Sequence, residues 1–133
     1  MPSVSFTVAG QPVPQPRPRV STAGGFARAY VPGKHPVHAY REAIAVAARG
    51  AGLTPTGEIL NVVIDAVFQR PESHLLKSGV KPDAPKLPRP DVDNLAKAVL
   101  DALQDVIGDD SLVGRLVVEK SYGTEARTTV RIS

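Results

Sequence analysis

Cysteine is absent from all 133 residues. That excludes disulfides and thiolate zinc sites, and it suits a reducing cytoplasm, the expected location. Any metal must then be held by oxygen, with histidine as a minor contributor, and carboxylate oxygens favour Mg²⁺, Mn²⁺ or Ca²⁺. Tryptophan is absent too, and Phe and Tyr number three each. This is too few for a protein that holds nucleic acid mainly by stacking bases on aromatic platforms. No run of eighteen apolar residues occurs, so no membrane-spanning helix is expected. The opening Met1-Pro2-Ser3-Val4 has no basic patch before an apolar core, and no signal peptide is expected. The chain length fits one domain over 1–133 with a core of its own.

Acid is scarce in the first third of the chain. Residues 1–49 carry six Lys and Arg against one acid, a balance of +5; residues 50–90 carry five against four; residues 91–133 carry five against eight, a balance of −3. A basic front joined to an acidic cluster is not the profile of a protein that merely coats DNA. It suits one that grips a polyanion and cuts it at a metal.

Val4, Phe6 and Val8 alternate with Ser5 and Thr7, the period of a half-buried strand. Pro12, Pro14, Pro16 and Pro18 then force extended, poorly paired backbone. Phe26 to Val31 reads as a short strand. Pro36 to Arg49 is helical, with Val37, Tyr40 and Ile44 on one stripe and Gly50 as the stop. Ile59 to Phe68 reads as a central strand buried on both faces. Residues 70–90 form a long, proline-rich loop. A second helix runs from about Asp93 to Val106, with Leu95, Val99, Leu103 and Val106 inward. Leu112 to Tyr122 and Arg127 to Ile132 read as two strands of a hairpin joined near Gly123. The fold class is therefore α+β, a mixed sheet with two main helices.

The chemistry concentrates between Arg89 and Ser111. Asp91 and Asp93 stand at i, i+2 after Pro90, where extended backbone points both carboxylates the same way. Asp93, Lys97 and Asp101 follow at helical spacing on a face clear of the apolar stripe. Asp109 and Asp110 close the segment. Each feature has an ordinary explanation: an Asp caps a helix start, Lys–Asp pairs decorate a surface, and Asp-Asp makes a turn. Together they repel. At about 5 Å and an effective dielectric near 20, each carboxylate pair costs roughly 3 kcal/mol, which a divalent cation removes. Lys97 then stands ready to meet phosphate charge, and Asn94 to ligate or to hold a water.

The string Arg-Pro-Asp-Val-Asp-Asn-Leu-x-Lys-x-x-Leu-Asp-Ala-Leu from Arg89, followed by Gly108-Asp109-Asp110-Ser111, resembles the signature of the RusA-type Holliday-junction resolvases, a family common in prophages. The opening from Phe6 to Arg19 and the strand Val118 to Tyr122 resemble the same family. The resemblance implies a homodimeric, Mg²⁺-dependent endonuclease of DNA recombination and repair that nicks four-way junctions symmetrically, with Mn²⁺ as a substitute metal. It implies Asp91, Asp93 and Asp110 as catalytic metal ligands, with Asp109 the alternative to Asp110. It implies Lys97 as the essential lysine and Asp101 as a supporting acid. Two symmetric nicks also call for two sites about a twofold axis.

Arg17, Arg19 and Arg28 sit among glycines and prolines that let a chain wrap phosphates; Lys77, Lys81, Lys86 and Arg89 lead into the acidic motif and would steer the same backbone. His35 and His38 lack a third ligand and read as surface or capping residues. His74 reads as a loop residue, and Phe26, Tyr30 and Tyr40 as packing rather than base platforms. Two rival functions are a phosphatase with an Asp-x-Asp nucleophile and a junction-binding module with a structural divalent cation. The first needs an apolar strand before its Asp, and Lys86 to Pro90 is not one.

Overall fold

The computed structural model describes residues 3–25 and 27–133, with Arg19 and Ala23 described by backbone alone. In chain order the main elements are β1 (Val4–Ala9), β2 (Arg19–Ser21), β3 (Arg28–Tyr30), α1 (Val37–Gly50), β4 (Leu60–Gln69), β5 (Leu75–Leu76), β6 (Gly79–Val80), α2 (Val92–Ile107), β7 (Val113–Gly123) and β8 (Arg127–Ile132). This is an α+β arrangement with a mixed sheet and two helices, as the sequence implies. Phe26 lies outside the described residues, so the third expected element is seen only as β3.

The main sheet has the order β1-β8-β4-β7, with β4 parallel to β7 and every other neighbour antiparallel. A parallel neighbour needs a crossover, and α2 supplies it between β4 and β7. Leu60, Val62, Ile64, Ala66 and Phe68 alternate along β4 and are all buried, as are Thr128, Val130 and Ile132 on β8. On α2, Leu95, Val99, Leu103, Val106 and Ile107 meet this layer. Ala45 and Ala48 of α1 and Ala98 and Ala102 of α2 are buried, and small side chains there let the two helices pack together.

Two expectations are corrected. The opposite face of β4 is not buried throughout: Asn61 is exposed and Val63 and Asp65 are half-buried, with only Val67 buried on that side. Both helices lie on the other face, so an apolar run need not mean two covered faces. Nor do β7 and β8 form a hairpin, because β4 lies between them. The three residues after Gly123 span about 10 Å when extended, close to the separation of strands that straddle a third. A strand as apolar as β4 gains more from two neighbours than an edge position would give it.

The loop at 70–90 is not featureless. A 3₁₀ turn at Glu72–His74 leads into the small β5–β6 hairpin. Arg70 donates to the carbonyl of Pro85 at 2.8 Å, and the Lys81 amide to that of His74 at 2.9 Å.

Candidate active site

Helix α2 starts one residue earlier than its motif suggests. Asp91 is its N-cap residue, extended at φ −69° and ψ 143°, while Asp93 already lies in the first turn. The two carboxylates therefore do not share an extended segment; they flank the start of a helix, where its dipole favours negative charge. The Asp91 side chain caps nothing, and Asp93 Oδ1 accepts from the Asn94 amide at 2.9 Å. Both residues are exposed.

The helix face behaves as its spacing predicts. Leu95, Val99 and Leu103 point into the core while Asp93, Lys97 and Asp101 face outward. Lys97 Nζ lies 3.7 Å from Asp101, with the lysine side chain 61% exposed. Such a pair holds a long side chain loosely and releases it readily to a phosphate.

Two further contacts fix the start of α2. The Gln15 amide, in the proline-rich segment, donates to the Asn94 carbonyl at 2.9 Å. Lys120 Nζ, on β7, donates to the Pro90 carbonyl at 2.9 Å. Lys120 was not among the sequence candidates. Its signal is a cation on the inward-facing period of β7, in step with Val118 and Tyr122, where an apolar residue is the rule.

Asp109 and Asp110 stand elsewhere. The α2 helix of 16 residues is about 22 Å long from first to last Cα. From Val113, β7 runs back beside it, and the seven steps to Lys120 cover about 23 Å. Lys120 touches Pro90, so Asp109 and Asp110 lie at the far end of α2 from Asp91 and Asp93. The expected gathering of Asp91, Asp93 and Asp110 is therefore not made within one chain. Among the described residues, no three Asp, Glu or His side chains come close enough to hold one ion.

The Asp-Asp pair divides its work. Asp109 caps a 3₁₀ turn at Asp110–Leu112 by accepting from the Ser111 amide at 2.9 Å. Hydrogen bonds from the Ser111 backbone, then from its side chain, hold the Asp109 carboxyl below its usual range. The Asp110 side chain, half-buried, makes no such bond and is the freer donor.

Among the basic candidates, Arg17, Arg28, Lys77, Lys86 and Arg89 are exposed and Lys81 is half-buried. Arg28 lies on the β2–β3 hairpin and Lys77 at the turn of β5–β6. The Arg19 side chain lies outside the described residues. His35 Nδ1 accepts from the Val37 amide at 3.0 Å, so it caps α1. Tyr40 is core, bonded through its hydroxyl to that of buried Thr128. No described helix is long and apolar enough to cross a membrane.

Chemically, each chain offers one pair of exposed, hard oxygen donors beside an exposed lysine, with cationic loops on the approach, and a third donor at a distant corner. Residues 9–133 match the family described as Endodeoxyribonuclease RusA. The chain is also similar to the uncharacterized protein YqaN of Bacillus subtilis (strain 168), at 34% identity over 137 residues that cover 99% of this chain and 96% of that one. With nearly the whole length matched, the chain belongs to the RusA endodeoxyribonuclease family.

Proposed function

We propose that the protein is a structure-selective, Mg²⁺-dependent endonuclease of the cytoplasm that resolves four-way DNA junctions by paired nicks, acting as a homodimer. The observation that carries this reading is the exposed pair Asp91 and Asp93 at the start of α2, in a member of an endodeoxyribonuclease family.

The donor set fits a hard divalent cation in chemistry. Asp91 and Asp93 supply two carboxylates at one end of α2, the number that commonly holds Mg²⁺ together with waters and substrate phosphate, and a third would tighten the site. A second copy related by a twofold axis can bring its own Asp110 to that end, and by symmetry receive the same in return. The dimer would then strengthen the site as well as supply two nicks. When bound, Mg²⁺ or Mn²⁺ supplies positive charge against the oxygens of the scissile phosphate. Lys97, one turn along from Asp93, meets the charge that grows on the phosphate in the transition state. Asp101 keeps Lys97 from folding away. Asn94 supports the helix start through its carbonyl, and Lys120 holds Pro90 and therefore Asp91 in place. Arg17, Arg19, Arg28, Lys77, Lys81, Lys86 and Arg89 attract the phosphate backbone.

A structural cation in a non-catalytic junction binder is the weaker reading. The core closes without Asp91 and Asp93, which are exposed and pack against nothing. The test is cleavage of a synthetic mobile-core four-way junction beside the matching linear duplex, in Mg²⁺ and in EDTA. Paired, Mg²⁺-dependent nicks in the junction alone are expected. Binding without cutting in either Mg²⁺ or Mn²⁺ would favour the structural cation instead.

A further inference from the structure

A pocket of about 430 Å³ opens between the β5–β6 hairpin and the end of β7, walled by Arg70, Leu75, Val80 and Tyr122, with Gln69 and Thr124 at its polar edge. A second depression shares Gln69 and Tyr122 with it and reaches Arg89 and Pro90, the residues that lead into Asp91. The pocket therefore adjoins the proposed catalytic end of α2.

Its floor is flat, the Arg70 guanidinium lying across the Tyr122 ring. Tyr122 rests on the cluster of Ala66, Phe68 and Leu95. The Arg70 guanidinium lies 4.3 Å over the centre of its ring and is pinned by its bond to Pro85. His74 meets the same ring edge-on at 5.7 Å, and its Nδ1 is buried with no partner. Leu75 and Val80 are 44% and 49% exposed, apolar walls with nothing over them. The loop carrying them is cationic: Arg70, Lys77, Lys81, Lys86 and Arg89 stand against Glu72 and Asp83, a balance of +3 within 70–90. A ligand that is flat, apolar on its faces, polar at its edge and attached to negative charge matches every one of these features. A nucleobase on a phosphate backbone is such a ligand.

We propose that this pocket receives one unstacked base of the branched DNA beside the strand engaged by Asp91 and Asp93. Arg70, Leu75, Val80 and Tyr122 then decide which base is accepted. The proposal rests on the endonuclease reading and deepens it. Bases at a branch point are already partly unpaired, so turning one out costs less than in a duplex, and the pocket selects for the branch.

The test uses the full-length protein and a series of four-way junctions carrying each of the four bases at each position around the nick. Wild type is expected to cut its best base at one position at least about tenfold faster than its worst, the size of one good base contact. Val80→Trp fills the pocket from an exposed site, and Arg70→Ala removes the stacked cation. Each is expected to bring that ratio below about threefold, with an unchanged melting temperature and sedimentation. Equal cutting of every base by wild type, or a preference that survives both substitutions, would overturn the pocket and leave the endonuclease standing. Loss of preference together with loss of the dimer would assign the pocket to the second copy and overturn the proposal. A wild-type protein that neither binds nor cuts junctions would overturn the endonuclease reading itself, and the pocket with it.

Discussion

If the metal cage is shared between two copies, lesions in different donors complement each other. Asp93→Asn and Asp110→Asn are each expected to abolish cutting, since each empties one donor from both cages of a homodimer. Mixed in equal amounts and allowed to exchange, the two variants form mixed dimers in half of all cases. In each mixed dimer one cage combines both lesions, and the other combines an intact Asp93 with an intact Asp110. One site in four is thus restored, and nicking of a junction is expected to return to about a quarter of the wild-type rate. Resolution by paired nicks does not return, because no dimer holds two intact sites. A gel that separates nicked from resolved junctions reads both quantities at once. The expectation follows from the length of α2: about 22 Å separate its ends, whereas carboxylates on one Mg²⁺ lie within 2.0–2.1 Å of it. No recovery at any mixing ratio, with exchange verified by labelled subunits, would show that each cage forms within one chain and would refute the argument from helix length.

Lys97→Ala is expected to lower the cutting rate about 100-fold, close to 3 kcal/mol of transition-state stabilisation, with junction affinity changed less than about threefold and with part of the rate recovered by Lys97→Arg. Single-turnover cleavage beside binding in EDTA separates the two effects, and an equal loss of both would make Lys97 an anchor only. Leu103→Ala, at a core position 1% exposed, is expected to cost about 2–5 kcal/mol in urea unfolding, and a cost below 1 would count against the packing of α2 on the sheet. Tyr40 gives the fold an alkaline limit. Burial raises its phenol from 10.0 to about 12, against a smaller opposing effect of the Thr128 hydrogen bond. The unfolded chain therefore ionises first, so the stabilisation is complete below pH 10 and is lost as pH climbs towards 12. Between pH 9 and pH 11 the loss is about 1 kcal/mol, measured as the difference between wild type and Tyr40→Phe; a difference independent of pH would contradict a buried neutral phenol.

Local periodicity made much of this fold legible. Both helices and the inward stripe of Leu95, Val99 and Leu103 follow from spacing alone, because an amphipathic helix writes its buried face into every third or fourth residue. What spacing does not carry is the order of strands. Nothing local in β7 or β8 says that β4 separates them, and a short connection with glycine reads as a hairpin whether or not the strands pair. The same blindness governs the site. Asp91, Asp93 and Asp110 lie within about twenty residues, and closeness along a chain suggests closeness in space. A helix defeats that inference, since it is the arrangement that carries its two ends apart at a fixed 1.5 Å per residue. Repulsion among three gathered carboxylates is then absent from the isolated chain, where only Asp91 and Asp93 are neighbours. In the proposed dimer it would arise when two copies meet. The cation and association would then be linked equilibria: metal would favour association because it relieves charge that association creates.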